Sequence, residues 1–188
     1  MRDSSKLILT VLLIFSGIST PVRARLGETQ ADIERRYGSS IDQNKVLPIL
    51  NDLAKRLGIN GSEDLSKVNV CAYRNGNWIV AVVYMGNQSV CEHYFKLDSF
   101  DLTEDETSNF LKINSDGKEW TPIDAADGDK NNQKWTLPGP DQKPAAIAFL
   151  GGRWITFVNT TLLDFIKQQH ANAAGQDANQ KTQALKNF

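Results

Sequence analysis

Cys91 and His93 are the first pair in this chain whose types could do chemistry, because a thiol beside an imidazole is how many cysteine nucleophiles are made. They lie two apart in the strand-like run Val90 to Phe95. Such residues share a face but stand about 6 to 7 Å apart, too far for a nucleophile and base to hydrogen-bond. His93 is therefore read as a structural, hydrogen-bonded histidine. The only other histidine is His170, so one chain cannot assemble a multi-histidine metal site. Asp127, Asp129 and Asn131 alternate as the ligands of a calcium loop do. Gly128 is misplaced, however, Lys130 intrudes, and the twelfth position is Pro138, so the loop is read as a solvated acidic turn. Phosphate loop, His-Glu-x-x-His, Gly-x-Ser-x-Gly and Cys-x-x-Cys patterns are all missing. The reading has no catalytic residue, no metal and no cofactor. A hydrolase built on carboxylates such as Glu104 and Asp105 is the disfavoured third class.

Binding chemistry is better supplied. Trp78, Trp120, Trp135 and Trp154 offer either core and hairpin packing or a platform on which sugar rings stack. Trp78, Tyr84 and Trp154 are the candidate binding residues. Asn-x-Ser/Thr sequons begin at Asn60, Asn87 and Asn159 and matter only in a host that glycosylates.

The elements that must position these residues centre on Lys67 to Leu97. Strand-like runs there are separated by Asn75-Gly76 and Gly86-Asn87, the strongest short-range hairpin signals, and predict a three-stranded meander. Trp78 to Met85 is apolar at both odd and even positions, so the middle strand needs cover on both faces. With two-residue turns at those dipeptides, Arg74, Glu92 and Lys96 share the Ile79 face. Cys71 and Cys91 then lie on one face, two strand spacings or about 9 to 10 Å apart, beyond the roughly 7 Å limit for a disulfide. Export favours oxidation, whereas this geometry favours free buried thiols.

Helices flank the meander. Thr29 caps a two-turn helix carrying Ile33 and Tyr37 and stopped by Gly38. Val46, Leu50, Leu53, Ala54 and Leu57 form one apolar face of a second helix that ends at Gly58, with Pro48 in its first turn. Thr103 and Glu106 form a capping box before Phe110, Leu111 and Ile113. Short strands are expected near 120–123 and 134–137. A hairpin follows over Ala145 to Val158, and a last helix is capped at Asn159 or Thr160. The hairpins around Gly76-Asn77-Trp78-Ile79 and Gly152-Arg153-Trp154-Ile155 echo one another, which is read as one turn solution reached twice.

Arg2 and Lys6, the apolar run Leu7 to Ile18, and Val22 and Ala24 at the cleavage positions have the layout of a secretory signal peptide over residues 1–24. Of 21 basic and 22 acidic residues the leader takes three basic (Arg2, Lys6, Arg23) and one acidic (Asp3), leaving a net charge of −3. That balance gives no electrostatic reason to bind nucleic acid or anionic lipid, and no membrane span is expected after cleavage. Residues 25–170 read as a single α+β domain, an antiparallel sheet built from the meander and the later hairpin with short helices packed on it. Residues 171–188 read as a polar, mobile tail.

Gly27, Thr29, Ile33 and Gly38, followed by a helix and a three-stranded meander, resemble the helix-entry motif of two groups. One is the BamE-like lipoproteins of the outer-membrane β-barrel assembly machine; the other is the β-lactamase inhibitor proteins. Ser39 stands where those proteins carry Pro, a further helix precedes the strands, and the lipobox Cys is absent. From the meander through Leu102, Thr103, Glu106, Phe110, Leu111, Asn114 and Trp120 the chain is similar to uncharacterised small secreted bacterial proteins. The resemblance implies an architecture and no activity. The functional expectation is a non-enzymatic exported module, periplasmic or extracellular, that binds another exported or envelope protein. The alternative is a carbohydrate- or cell-wall-binding module using exposed Trp.

Overall fold

The computed structural model describes residues 26–59, 68–123, 133–140 and 143–186. The expected leader, the sequon at Asn60 and the acidic stretch 124–132 lie outside them. Seven strands form one antiparallel sheet: β1 (Asn69–Asn75), β2 (Trp78–Met85), β3 (Gln88–Lys96), β4 (Thr121–Ile123), β5 (Lys134–Pro138), β6 (Pro144–Gly151) and β7 (Trp154–Asn159). Their spatial order is β1-β2-β3-β7-β6-β5-β4. Two meanders thus meet where β3 pairs with β7, and the α+β class expected from sequence is the one observed.

Helices cover both faces. α1 (Gln30–Tyr37) and α3 (Glu104–Ile113) pack on the face that carries Tyr73, Val80, Val82, Tyr94, Ile155 and Phe157. α2 (Leu47–Leu57) and α4 (Thr160–Lys186) pack on the opposite face against Ala81, Val83, Cys91 and Val158. The doubly apolar β2 is therefore buried from Ile79 to Tyr84 by the chain's own helices. Local chemistry starts and stops these helices as the sequence implies. Thr29 and Thr103 both form capping boxes, Gly38 and Gly58 follow the helix ends at φ +83° and +73°, and Pro48 sits in the first turn of α2.

Register departs from expectation in two places. The first turn is Gly76-Asn77, closed by Asn75 opposite Trp78, because Gly76 takes a positive φ there. In β3 a bulge follows, where Val83 pairs with Cys91 and Tyr84 with Ser89, leaving Val90 extra. The turn shift slides β1 by two residues and keeps its faces, whereas the bulge turns Cys91 to the face opposite Cys71; both thiols stay buried and free. Arg74 shares the Ile79 face, whereas Glu92 and Lys96 point to the other. The last helix runs on past His170 to Lys186. His170 is not spare: its Nε2 donates to the Gly58 carbonyl at 2.7 Å and ties α4 to the end of α2.

The two echoing hairpins take inequivalent places. One forms an edge of the sheet as β1-β2, the other lies inside it as β6-β7. Trp78 pairs with Lys96 and Trp154 with Phe95, so the two indoles stand on opposite faces.

Candidate functional site

The structure separates the three candidate binding residues. Tyr84 is 2% exposed and its hydroxyl meets that of Tyr73 at 3.1 Å, so it packs and fastens the core. Trp78 is half-buried against Phe110, ring centroids 4.9 Å apart and nearly perpendicular. Trp154 borders a cleft of about 280 Å³ on the face under α2 and α4. No pair of exposed indoles exists among the described residues for a sugar to stack on, since Trp120 is buried and Trp78, Trp135 and Trp154 are each half-buried.

The cleft is built from a register ladder. Across the sheet His93 lies opposite Thr156, Thr156 opposite Phe149, and Phe149 opposite Lys134. In the next row Phe95 lies opposite Trp154, and Trp154 opposite Gly151. Because side chains alternate along a strand, the first row and the second share one face. Leu53, Arg56 and Leu57 of α2 and Leu163 of α4 close the sides. Leu53, Arg56 and Leu57 recur three or four residues apart, which sets all three on one side of α2.

Cations decorate the rings. The Arg56 guanidinium carbon stands 4.2 Å from the Trp154 ring centre and Lys134 Nζ 5.8 Å from that of Phe149. Asp52, one turn before Arg56, accepts from its Nε at 2.6 Å. Behind the cleft floor His93 is 1% exposed, with Nδ1 2.8 Å from the Thr156 hydroxyl. Burial lowers its pKa from 6.5 to about 4, Asp52 opposing and Arg56 assisting the shift, so the imidazole is neutral at physiological pH. Cys91 is fully enclosed and its thiol is pushed up by burial first and by Glu92 second, which leaves no thiolate near His93.

The other face holds a buried polar network around Glu92. Glu92 is fully buried; Tyr94 donates to one of its oxygens, and its Oε1 has no hydrogen-bond partner among the described residues. Tyr94 and Tyr37 hydroxyls meet at 3.2 Å, Arg36 Nη1 donates to Tyr37 at 3.4 Å, and Arg36 pairs with Glu28. Desolvation raises the Glu92 pKa, with the Tyr94 hydrogen bond and Arg36 only partly opposing it. Lys96 is likewise nearly buried, bonded to Glu106 at 2.9 Å, and its ammonium lies 5.9 Å from the Trp78 ring.

Among the described residues no group of three or more His, Cys, Asp or Glu is placed to hold a metal. No helix among them is long and apolar enough to cross a membrane. Arg56 and Lys134 escaped sequence reasoning because they come from segments brought together only by the pairing of β3 with β7. Lys134 beside Trp135 in a strand was the one available signal, a cation forced to the face opposite an aromatic. The chain matches no protein-family model, no curated protein and no solved structure.

Proposed function

We propose that this protein is an exported, non-enzymatic module that binds another protein through the Trp154 cleft. One observation carries the reading: the cleft is lined by rings, aliphatic side chains and two cations, with one hydroxyl and no carboxylate or thiol. Such a lining binds and orients; it has no paired acid and base with which to turn a substrate over. Aromatic and Arg side chains are also those on which protein interfaces concentrate their energy. A sugar platform fits less well, because Arg56 covers the Trp154 ring and Phe110 and Lys96 engage that of Trp78.

The test is capture of partners from the exported fraction on immobilised protein, followed by variants. Truncation of Trp154 to Ala should weaken retention by about 2 kcal/mol, as a hot spot does. Phe100, 72% exposed on the loop after β3, is the control for unspecific adhesion. Retention lost with Phe100→Ala but not with Trp154→Ala, or capture by glycans rather than proteins, overturns the reading.

A further inference from the structure

Two of the eight side chains that line the cleft, Arg56 and Lys134, are basic, and none is acidic. Asp52 engages Arg56 through Nε alone, and among the described residues nothing accepts from the two terminal guanidinium nitrogens. Lys134 forms no ion pair among them. The two cations come from different elements, α2 and β5, and hold positions over different rings, Trp154 and Phe149. At about 280 Å³ the cleft is close to the lower limit for ligand pockets and suits one large side chain rather than a cofactor.

These features restrict the occupant. A neutral apolar segment entering the cleft would strip water from both cations and return nothing, which makes such a ligand costly to bind. A carboxylate answers both: the planar guanidinium fork takes two oxygens, and the ammonium adds a point charge. The rings and leucines, for their part, call for an apolar group beside that carboxylate. Asp52 orients the fork by holding Nε, while His93, neutral behind Thr156, adds no competing charge.

We infer that the Trp154 cleft recognises an acidic-aromatic segment of the partner protein. One aromatic or large aliphatic side chain seats between Trp154, Phe149, Leu53 and Leu163, and a flanking Asp or Glu carboxylate is held by Arg56 and Lys134. The inference deepens the protein-binding reading and rests on it.

The test uses three blocked peptides, Gly-Asp-Phe-Asp-Gly, Gly-Asn-Phe-Asn-Gly and Gly-Asp-Ala-Asp-Gly, titrated into the folded protein while the Trp154 indole N–H resonance is followed. The first peptide should shift that resonance saturably. The second and third should bind about tenfold more weakly, and raising salt should weaken the first by a similar factor. Arg56→Gln and Lys134→Gln should each lower affinity for the first peptide severalfold and leave the thermal midpoint nearly unchanged. Arg56→Lys, which keeps charge and loses the fork, should fall between wild type and Arg56→Gln. Equal affinity for the Asp and Asn peptides, or no saturable shift with any of them, overturns the inference. Where retention of a captured partner still depends on Trp154 despite that result, the protein-binding reading survives and only its ligand chemistry falls. Where it does not, both fall.

Discussion

Trp154 lies across the backbone of Gly151, its partner in the β6-β7 hairpin, so closely that a Cβ on Gly151 would stand 2.2 Å from Cζ2 of the indole. The glycine is thus a seat for the ring, and the indole forms the cleft wall because nothing projects beneath it. Gly151→Ala should displace Trp154 and cost about 1 to 3 kcal/mol, the usual range for overpacking a filled site. Urea unfolding measures the cost, and the Trp154 indole resonance reports the displacement. An unchanged resonance would mean the ring does not rest there.

His93 binds a proton less readily in the folded protein, at about 4, than in the unfolded chain, at 6.5. Between those values the unfolded chain holds the extra proton, so stability rises with pH through this window and is lost as pH falls. The contribution is about 3 kcal/mol at full extent. His93→Gln should remove this rise in unfolding free energy between pH 4 and 6.5 and leave a profile that falls with pH. A rise that persists in the variant assigns it to another group.

Glu92 has the opposite sign. Its folded pKa is raised, chiefly by burial, so the folded protein keeps a proton that the unfolded chain has released. Stability from this group is full below the ordinary carboxylate value and falls as pH rises through the folded one, by up to about 1.4 kcal/mol per pH unit. Where the two windows overlap, the rise from His93 and the fall from Glu92 offset one another. Wild type should therefore show a flatter profile there than either single variant. Glu92→Gln should leave a profile that climbs with pH. A wild-type profile as steep as that of the variant would show that Glu92 ionises normally.

Cys71 and Cys91 face opposite layers and both thiols are raised by burial. A thiol reagent should find neither in the folded protein and two after denaturation without reductant. A single adduct, or none, in the unfolded protein would contradict the register of β1 and β3.

Removing the hydroxyl of Thr29 or Thr103 should cost about 1 kcal/mol each, since each closes a capping box. Thr103→Ala has a second reading, because Glu106 also holds the nearly buried Lys96 at 2.9 Å. A loss from Thr103→Ala clearly larger than from Thr29→Ala, measured by urea titration, would locate coupling between the cap and that ion pair.

Local signals were legible in the sequence and long-range ones were not. Thr29, Gly38, Gly58, Thr103 and Pro48 mark helix ends because capping depends on neighbours within one turn. The meander, the β6-β7 hairpin and the α+β class follow from alternation and turn residues. The register needed more: Asn75-Gly76 and Gly76-Asn77 are both acceptable turn pairs, and the second slides β1 by two residues along β2 without changing its faces. The bulge at Val90 has no glycine to announce it. The cleft was half visible, since Trp154 was singled out, but Arg56 is almost a hundred residues away from it in sequence and reaches its ring only through the fold. Glu92 was placed on the Ile79 face, because nothing in Val90 to Phe95 reveals the bulge that turns it toward the layer covered by α1.

The pairing of β3 with β7 also orders the events of folding. Its two sides lie 63 residues apart at His93 and Thr156, whereas β1-β2-β3 and β5-β6-β7 are each joined by short connections. Hairpins close in microseconds, but a long loop must surrender its entropy before the seam rewards it. The two halves can each gather early, while the seam belongs to the slow phase. Substitutions along it, such as Thr156→Val, should then raise the unfolding rate or lower the refolding rate according to whether the seam is formed at the barrier. Since Leu53, Arg56 and Leu57 precede β1 while Lys134, Phe149, Trp154 and Thr156 lie on β5 to β7, the cleft comes into being only when the two halves meet. A chain arrested with both meanders formed would carry all the cleft residues and no cleft.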